Sequence, residues 1–316
     1  MEIVKYLLLL VVGFAFLVKG ADWFVEGASG IAEKFGIPQL VIGLTIVAMG
    51  TSMPEAAVSI SAALKGSAGI TIGNVVGINI LNIMIILGLS ALVAPLAVQQ
   101  STVRYEIPFV LLVTLVLLGL GYDGNVGLID GIILWALFIV YFIYLIRMSK
   151  QDSKDNPEEG ADDVPEKSRT LKLWQAILLT IIGLVLIVAG SEFAVDGATG
   201  FARLFGVSER VIGLTIVALG TSLPELFTSV SASMKGNADI AIGNIVGSNI
   251  FNILFVVGTS ALIIPVTFQK DFIFDTIVAA GAAILLFICC FKDQKLYRWG
   301  GVLMLVAYAA YFVTLL

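Results

Sequence analysis

The stretch GLTIVAMGTSMPE at residues 43–55 returns as GLTIVALGTSLPE at residues 213–225. Further along, GNVVGINILNI at 73–83 returns as GNIVGSNIFNI at 243–253. Working outward, a shift of 170 residues lays Val18–Pro95 on Val188–Pro265 without a gap, and more than half of the aligned positions are identical. Each copy of the first motif, 43–55 and 213–225, is apolar, contains one proline and one acid, and is far too hydrophobic for a soluble surface. The remaining apolar runs fall at matching offsets. They predict ten spans near 3–20, 40–64, 70–93, 104–122, 127–147, 172–190, 210–234, 240–263, 272–292 and 298–316. Residues 1–146 therefore correspond to 171–316, with five spans in each half. Five is odd, so the second half enters the membrane upside down. The expected fold is an all-α polytopic membrane protein of ten transmembrane helices in two inverted five-helix repeats. Such folds carry their substrate site near the midplane, between the repeats.

Composition agrees. The 316 residues are 59% hydrophobic and 13% charged, with a mean hydropathy of +1.03. Soluble domains carry about one quarter charged residues, and a spanning helix needs about 20 apolar ones. With no histidine, a histidine metal site or proton relay is excluded. Cys289 and Cys290 are adjacent in an apolar run, which rules out a disulfide framework. The first run lacks a basic leader and a small-residue cleavage site, and reads as a span rather than a signal peptide. Gln151–Thr170 is too polar to bury, so residues 147–170 form a linker between the halves. Of the 18 Lys and Arg residues, thirteen fall on the linker's side of the membrane. The positive-inside rule then puts the linker in the cytoplasm and both termini outside.

Glu55 and Glu225 fall in the middle of the second and seventh spans. An ionisable group there costs about 2.5–3.5 kcal/mol on insertion scales. No Lys or Arg lies at matching depth, so a cation or protons must neutralise them; a neutral structural carboxyl is the bland alternative. Pro54 and Pro224 each remove a helical N–H, and Gly50 and Gly220 ease unwinding. A broken helix frees carbonyls around Ala48–Thr51 and Ala218–Thr221, which is tolerable at depth only where they line a cavity or an ion. Thr51, Ser52, Thr221 and Ser222 add hydroxyls. The resulting set of hard oxygens suits Ca2+ or Na+. In the third and eighth spans, Asn82, Asn252 and Ser248 read as ion contacts, whereas Asn79 and Asn249 read as helix glue. A further duplicated acidic set, Asp22 and Glu26 with Glu192 and Asp196, reads as solvated interfacial residues, with cation funnels as the alternative.

The two repeats, each GTSxPE followed by GNxxGxNIxN, resemble the Ca2+/cation antiporter superfamily in its sodium/calcium exchanger branch. The resemblance spans the chain apart from the linker. It implies exchange of Na+ for Ca2+ by alternating access, with the first and sixth helices sliding across a core of the second, third, seventh and eighth. It also implies an ion-ligand set of Glu55, Glu225, Thr51, Thr221, Ser52, Ser222, Ser248, Asn82 and Asn252 with the carbonyls of Ala48 and Ala218. Two departures stand out. Ile78 replaces the third-span hydroxyl that pairs with Ser248, and Asn252 replaces the acid of potassium-dependent relatives. No cofactor, enzymatic activity or nucleic-acid partner is expected. The partners are inorganic cations and the lipid bilayer, and the working unit is a monomer. An H+-coupled exchanger of Ca2+ or another divalent cation is the main alternative. A membrane enzyme and a passive channel fit less well: the acids lack a protease context, and a channel needs no neutralising pair at one point.

Overall fold

With no water in the bilayer core, a spanning segment must satisfy its backbone within itself, so these apolar runs close into helices. The computed structural model describes residues 2–64, 69–155, 171–206 and 218–315. The linker beyond Asp155 and the start of the seventh span at 207–217 lie outside the described residues. In chain order the helices are α1 (Glu2–Phe35), α2a (Gln39–Thr51), α2b (Met53–Leu64), α3 (Thr71–Val93), α4 (Thr102–Leu120) and α5 (Leu128–Asp155). The second half supplies α6 (Leu173–Leu204), α7a (Ala218–Thr221), α7b (Leu223–Met234), α8 (Ala238–Ile263), α9 (Asp271–Phe291) and α10 (Arg298–Leu315). Among the described residues, seven helices are long and apolar enough to cross a membrane, and the bent pair α2a–α2b makes an eighth. The apolar α10 and the broken α7 complete the ten. The chain is thus an all-α, multi-pass membrane protein.

Short strands expose the pseudo-symmetry. Strands β1 (Leu96–Ala97), β2 (Asn125–Val126), β3 (Val266–Thr267) and β4 (Lys295–Leu296) form two antiparallel pairs. Leu96 faces Leu296 in the first, and Asn125 faces Thr267 in the second. Each strand pairs with one from the other half, and the 170-residue shift turns one pair into the other. The helices interleave the same way. A Cβ on Gly131 of α5 would lie 2.9 Å from the carbonyl of Gly258 in α8, and one on Gly301 of α10 would lie 2.6 Å from that of Gly88 in α3. The fifth span of each half thus packs on the third span of the other.

The centre belongs to α3 and α8, whose most apolar windows are 78% and 94% buried, against 17% for α1. There α8 meets α2a backbone to backbone, because Gly43 and Gly243 stand opposite each other. Outside this core, α1 and α6 run antiparallel. Gly13, Gly20 and Gly27 recur every seven residues and abut Gly190, Gly183 and Thr180 so closely that any Cβ would strike backbone. The first and sixth spans run well past the expected ends at 20 and 190. The glycine stripe keeps the pair packed beyond the point where charges begin. At 1.5 Å per residue α1 is about 50 Å long, more than the hydrocarbon core requires.

Candidate cation-binding site

Pro54 has no N–H and its ring crowds the preceding turn, so the second span bends by 51° between α2a and α2b. The hinge is Ser52, with φ −85° and ψ 5°. Ser222 repeats it at φ −92° and ψ 5°. Each break places an acid, Glu55 or Glu225, in the first turn of a new half-helix, where the helix dipole favours negative charge. The broken ladder is repaired differently in the two halves. Pro224 cannot donate to the Gly220 carbonyl, and Ser191 of α6 donates instead at 2.5 Å. Its repeat equivalent is Ala21, which has no hydroxyl. The Ala48 carbonyl accepts from the Ser52 N–H at 3.1 Å and from the Ser248 hydroxyl at 3.3 Å. In the second half, the Ser222 N–H bonds to the Leu219 carbonyl at 3.2 Å.

Glu55, Glu225, Thr51, Ser52, Ser222, Asn82, Asn252 and Ser248 are all essentially fully buried, while Thr221 is only partly so. Bonds cross between the halves: the Ser52 hydroxyl donates to Glu225 Oε1 at 2.9 Å, and the Thr51 hydroxyl to Asn244 Oδ1 at 3.0 Å. Buried polar atoms in proteins are nearly always paired. Here both carboxylate oxygens of Glu55, Oε2 of Glu225, Oδ1 of Asn82 and Asn252, and Oγ of Ser222 have no protein hydrogen-bond partner. Those atoms are acceptors with one exception, the hydroxyl of Ser222. Among the described residues, no Lys or Arg bonds to either carboxylate. Asn82 and Asn252 each open a π-helical turn, Asn82–Leu87 and Asn252–Val257, a distortion common at functional sites.

Several participants escape a reading of the chain alone. Asn74 and Asn244 each donate to a serine of the adjacent half-helix, Ser59 at 3.0 Å and Ser229 at 2.9 Å. Their duplication is visible in the sequence; their partners are not. Asp22 does not follow a span, although its side chain is still 42% exposed. It lies within α1, where its carboxylate accepts from Ser231 of α7b at 3.0 Å and lies 3.3 Å from Lys235 Nζ. Glu192 and Asp196 are exposed. A separate buried acid, Glu106 on α4, accepts from the Tyr144 hydroxyl.

Two buried carboxylates at the first turns of two discontinuous helices, ringed by neutral oxygens at the junction of inverted repeats, define a secondary cation transporter. The chain belongs to the sodium/calcium exchanger protein family, whose pattern matches residues 5–147 and 175–316. It is accordingly a membrane transporter of inorganic cations and not an enzyme. It is 38% identical to inner membrane protein YrbG of Escherichia coli, over 94% of this chain and 92% of that one. It is 33% identical to the sodium/calcium exchanger MaX1 of Methanosarcina acetivorans, over 98% and 97%. The solved structure of the sodium-calcium exchanger NCX_Mj soaked with zero Na+ and Ca2+ superposes with a TM-score of 0.85 at 32% identity, covering 99% of this chain and 100% of that chain.

Proposed function

We propose that this protein is a secondary active antiporter that exchanges Ca2+ for Na+ by alternating access. The observation that carries the reading is the set of buried oxygens without protein partners: three of the four carboxylate oxygens of Glu55 and Glu225, with Oδ1 of Asn82 and Asn252. Ca2+ takes six to eight hard oxygens. Two carboxylates neutralise it, so the loaded site carries no net charge and crosses the membrane at small electrostatic cost. Thr51, Thr221, Ser52, Ser222, Ser248 and the carbonyls of Ala48 and Ala218 complete the ligand set shared between Ca2+ and Na+. The glycine-packed α1–α6 pair moves as one body over the α2, α3, α7 and α8 core. The halves 1–146 and 171–316 act as the inverted units, the chain works as a monomer, and the 147–170 linker faces the cytoplasm with both termini outside.

One observation favours a second reading. Ser248 reaches the Ala48 carbonyl, but Ile78, its equivalent, offers no oxygen toward Ala218. A poorer Na+ subsite in that half leaves H+ as the rival coupling ion. Ca2+ uptake into proteoliposomes under imposed Na+, H+ or K+ gradients decides between them. The expected result is uptake driven by a Na+ gradient and indifferent to K+, because Asn252 lacks the acid of potassium-dependent relatives. Uptake driven by H+ alone would overturn the Na+ assignment. Labelling of a Ser153→Cys variant from the cytoplasmic face only is the expected topology; labelling from outside would invert it.

A further inference from the structure

Four asparagines meet where α3 and α8 cross. The Asn79 Nδ2 donates to the backbone carbonyl of Asn249 at 3.1 Å, and the Asn249 Nδ2 returns the bond to the carbonyl of Asn79 at 3.1 Å. The Asn249 Oδ1 accepts from the Asn82 Nδ2 at 3.0 Å, and the Asn79 Oδ1 accepts from the Asn252 Nδ2 at 3.3 Å. All four side chains are buried. What remains without a protein partner is the Oδ1 of Asn82 and of Asn252.

The order of constraint runs one way. A backbone carbonyl can only accept, so the Asn79 carbonyl dictates which end of the Asn249 amide faces it. That leaves the Asn249 oxygen turned to Asn82, and an oxygen can only accept. Asn82 must therefore present its NH2 inward and its oxygen away. A flipped Asn82 would set oxygen against oxygen and aim two N–H groups at any cation. The same logic, with the halves exchanged, fixes Asn252 through Asn79.

Resting on the ion-site reading above, we propose that Asn249 and Asn79 are positioning residues that lock the amide oxygens of Asn82 and Asn252 toward the transported cation, each across the repeat boundary. Partners that orient metal ligands typically contribute about 10–100-fold in affinity.

The test uses the purified full-length chain, with Ca2+ affinity measured by titration calorimetry and folding by thermal melting. Asn82→Leu and Asn249→Leu should each weaken Ca2+ binding by about tenfold or more. The discriminating background is Asn82→Asp, because a carboxylate presents oxygen whichever way it turns. There the carboxylate has no N–H to offer the Asn249 oxygen, so adding Asn249→Leu should not weaken Ca2+ binding by more than about twofold, the scatter of independent sites. An equal loss in both backgrounds would mean that Asn249 is only structural and would overturn the proposal. So would unchanged affinity in folded Asn249→Leu. If Asn249→Leu is not recovered folded, Asn249→Ser is compared in the same two backgrounds, with the same two outcomes. Wild-type affinity in Asn82→Leu would instead refute Asn82 as a ligand, so the ion-site reading itself would fail and the proposal with it.

Discussion

Glu55 and Glu225 are equivalent in sequence but not in surroundings. Glu225 accepts a hydrogen bond from Ser52, while Glu55 has no side-chain partner for either oxygen, and Ser222 makes no mirrored bond to it. If a cation binds here, Glu55 should contribute more to holding it. Gln at either position removes a charge from a buried pair, a change worth about 2–5 kcal/mol. Apparent Ca2+ affinity in flux assays should fall by at least about 30-fold in Glu55→Gln and Glu225→Gln, with Glu55→Gln the more damaged. Near-normal exchange in either variant would remove that acid from the site. Ile78 supplies a second residue-scale test. Ile78→Ser should raise apparent Na+ affinity or steepen the Na+ dose–response, with Ca2+ affinity changed much less; an unchanged Na+ response in active protein would mean that another oxygen already serves that subsite. The oxygen-bearing residues of the candidate site were legible from the chain because each acid and amide, and every hydroxyl except that of Ser248, recurs at a spacing of 170. Their bonding was not, because Ser52–Glu225 and Asn82–Asn249 join residues 173 and 167 positions apart.

At the scale of elements, hydropathy located the ten spans and the prolines located the two breaks. The ends of α1 and α6 were misjudged because charge marks where a helix meets water, not where it stops. Asp22 carries a charge inside α1 and has partners there on α7b. The seven-residue glycine stripe was present in the sequence but spoke only once α1 and α6 were seen side by side. It has a measurable consequence. A Cβ at Gly20 would lie 2.9 Å from the Gly183 carbonyl and 2.9 Å from the Ile187 N, and backbone cannot swing aside as a side chain does. Gly20→Ala should lower stability by about 1–3 kcal/mol and reduce the thermal midpoint. Gly281→Ala, on an exposed face of α9 with no neighbour within 4 Å of the added carbon, should gain helix propensity and leave the midpoint unchanged or slightly higher. Equal midpoints for Gly20→Ala and wild type would show that the stripe does not set the α1–α6 spacing.

At the scale of the molecule, the two halves are threaded through each other. Each third span carries the fifth span of the other half, and the strand pairs repeat the exchange, so neither half could close its core alone. The α1–α6 pair stands outside this interleaving, which suits the sliding proposed for it. Such sliding would have to break contacts. Well inside its length, α1 is tied to α7b, where Asp22 accepts from Ser231 and faces Lys235, and the Lys235 Nζ also reaches the Asp22 carbonyl at 2.6 Å. On the α6 side the equivalent residues Glu192 and Ser61 are exposed. If the pair travels between two end states related by the inverted repeat, the Asp22 tie must break in every cycle. A covalent link there should then arrest exchange without touching the ion site. In a background with Cys289 and Cys290 replaced by Ala, Asp22→Cys with Ser231→Cys, joined through two disulfides by a short bifunctional thiosulfonate, should lose nearly all Ca2+ flux and recover it on reduction. Ca2+ binding to the locked protein should persist, which separates arrest from damage to the site. Full flux in the cross-linked protein would show that α1 and α7b stay together throughout transport, and the sliding-pair mechanism would have to be abandoned for this chain.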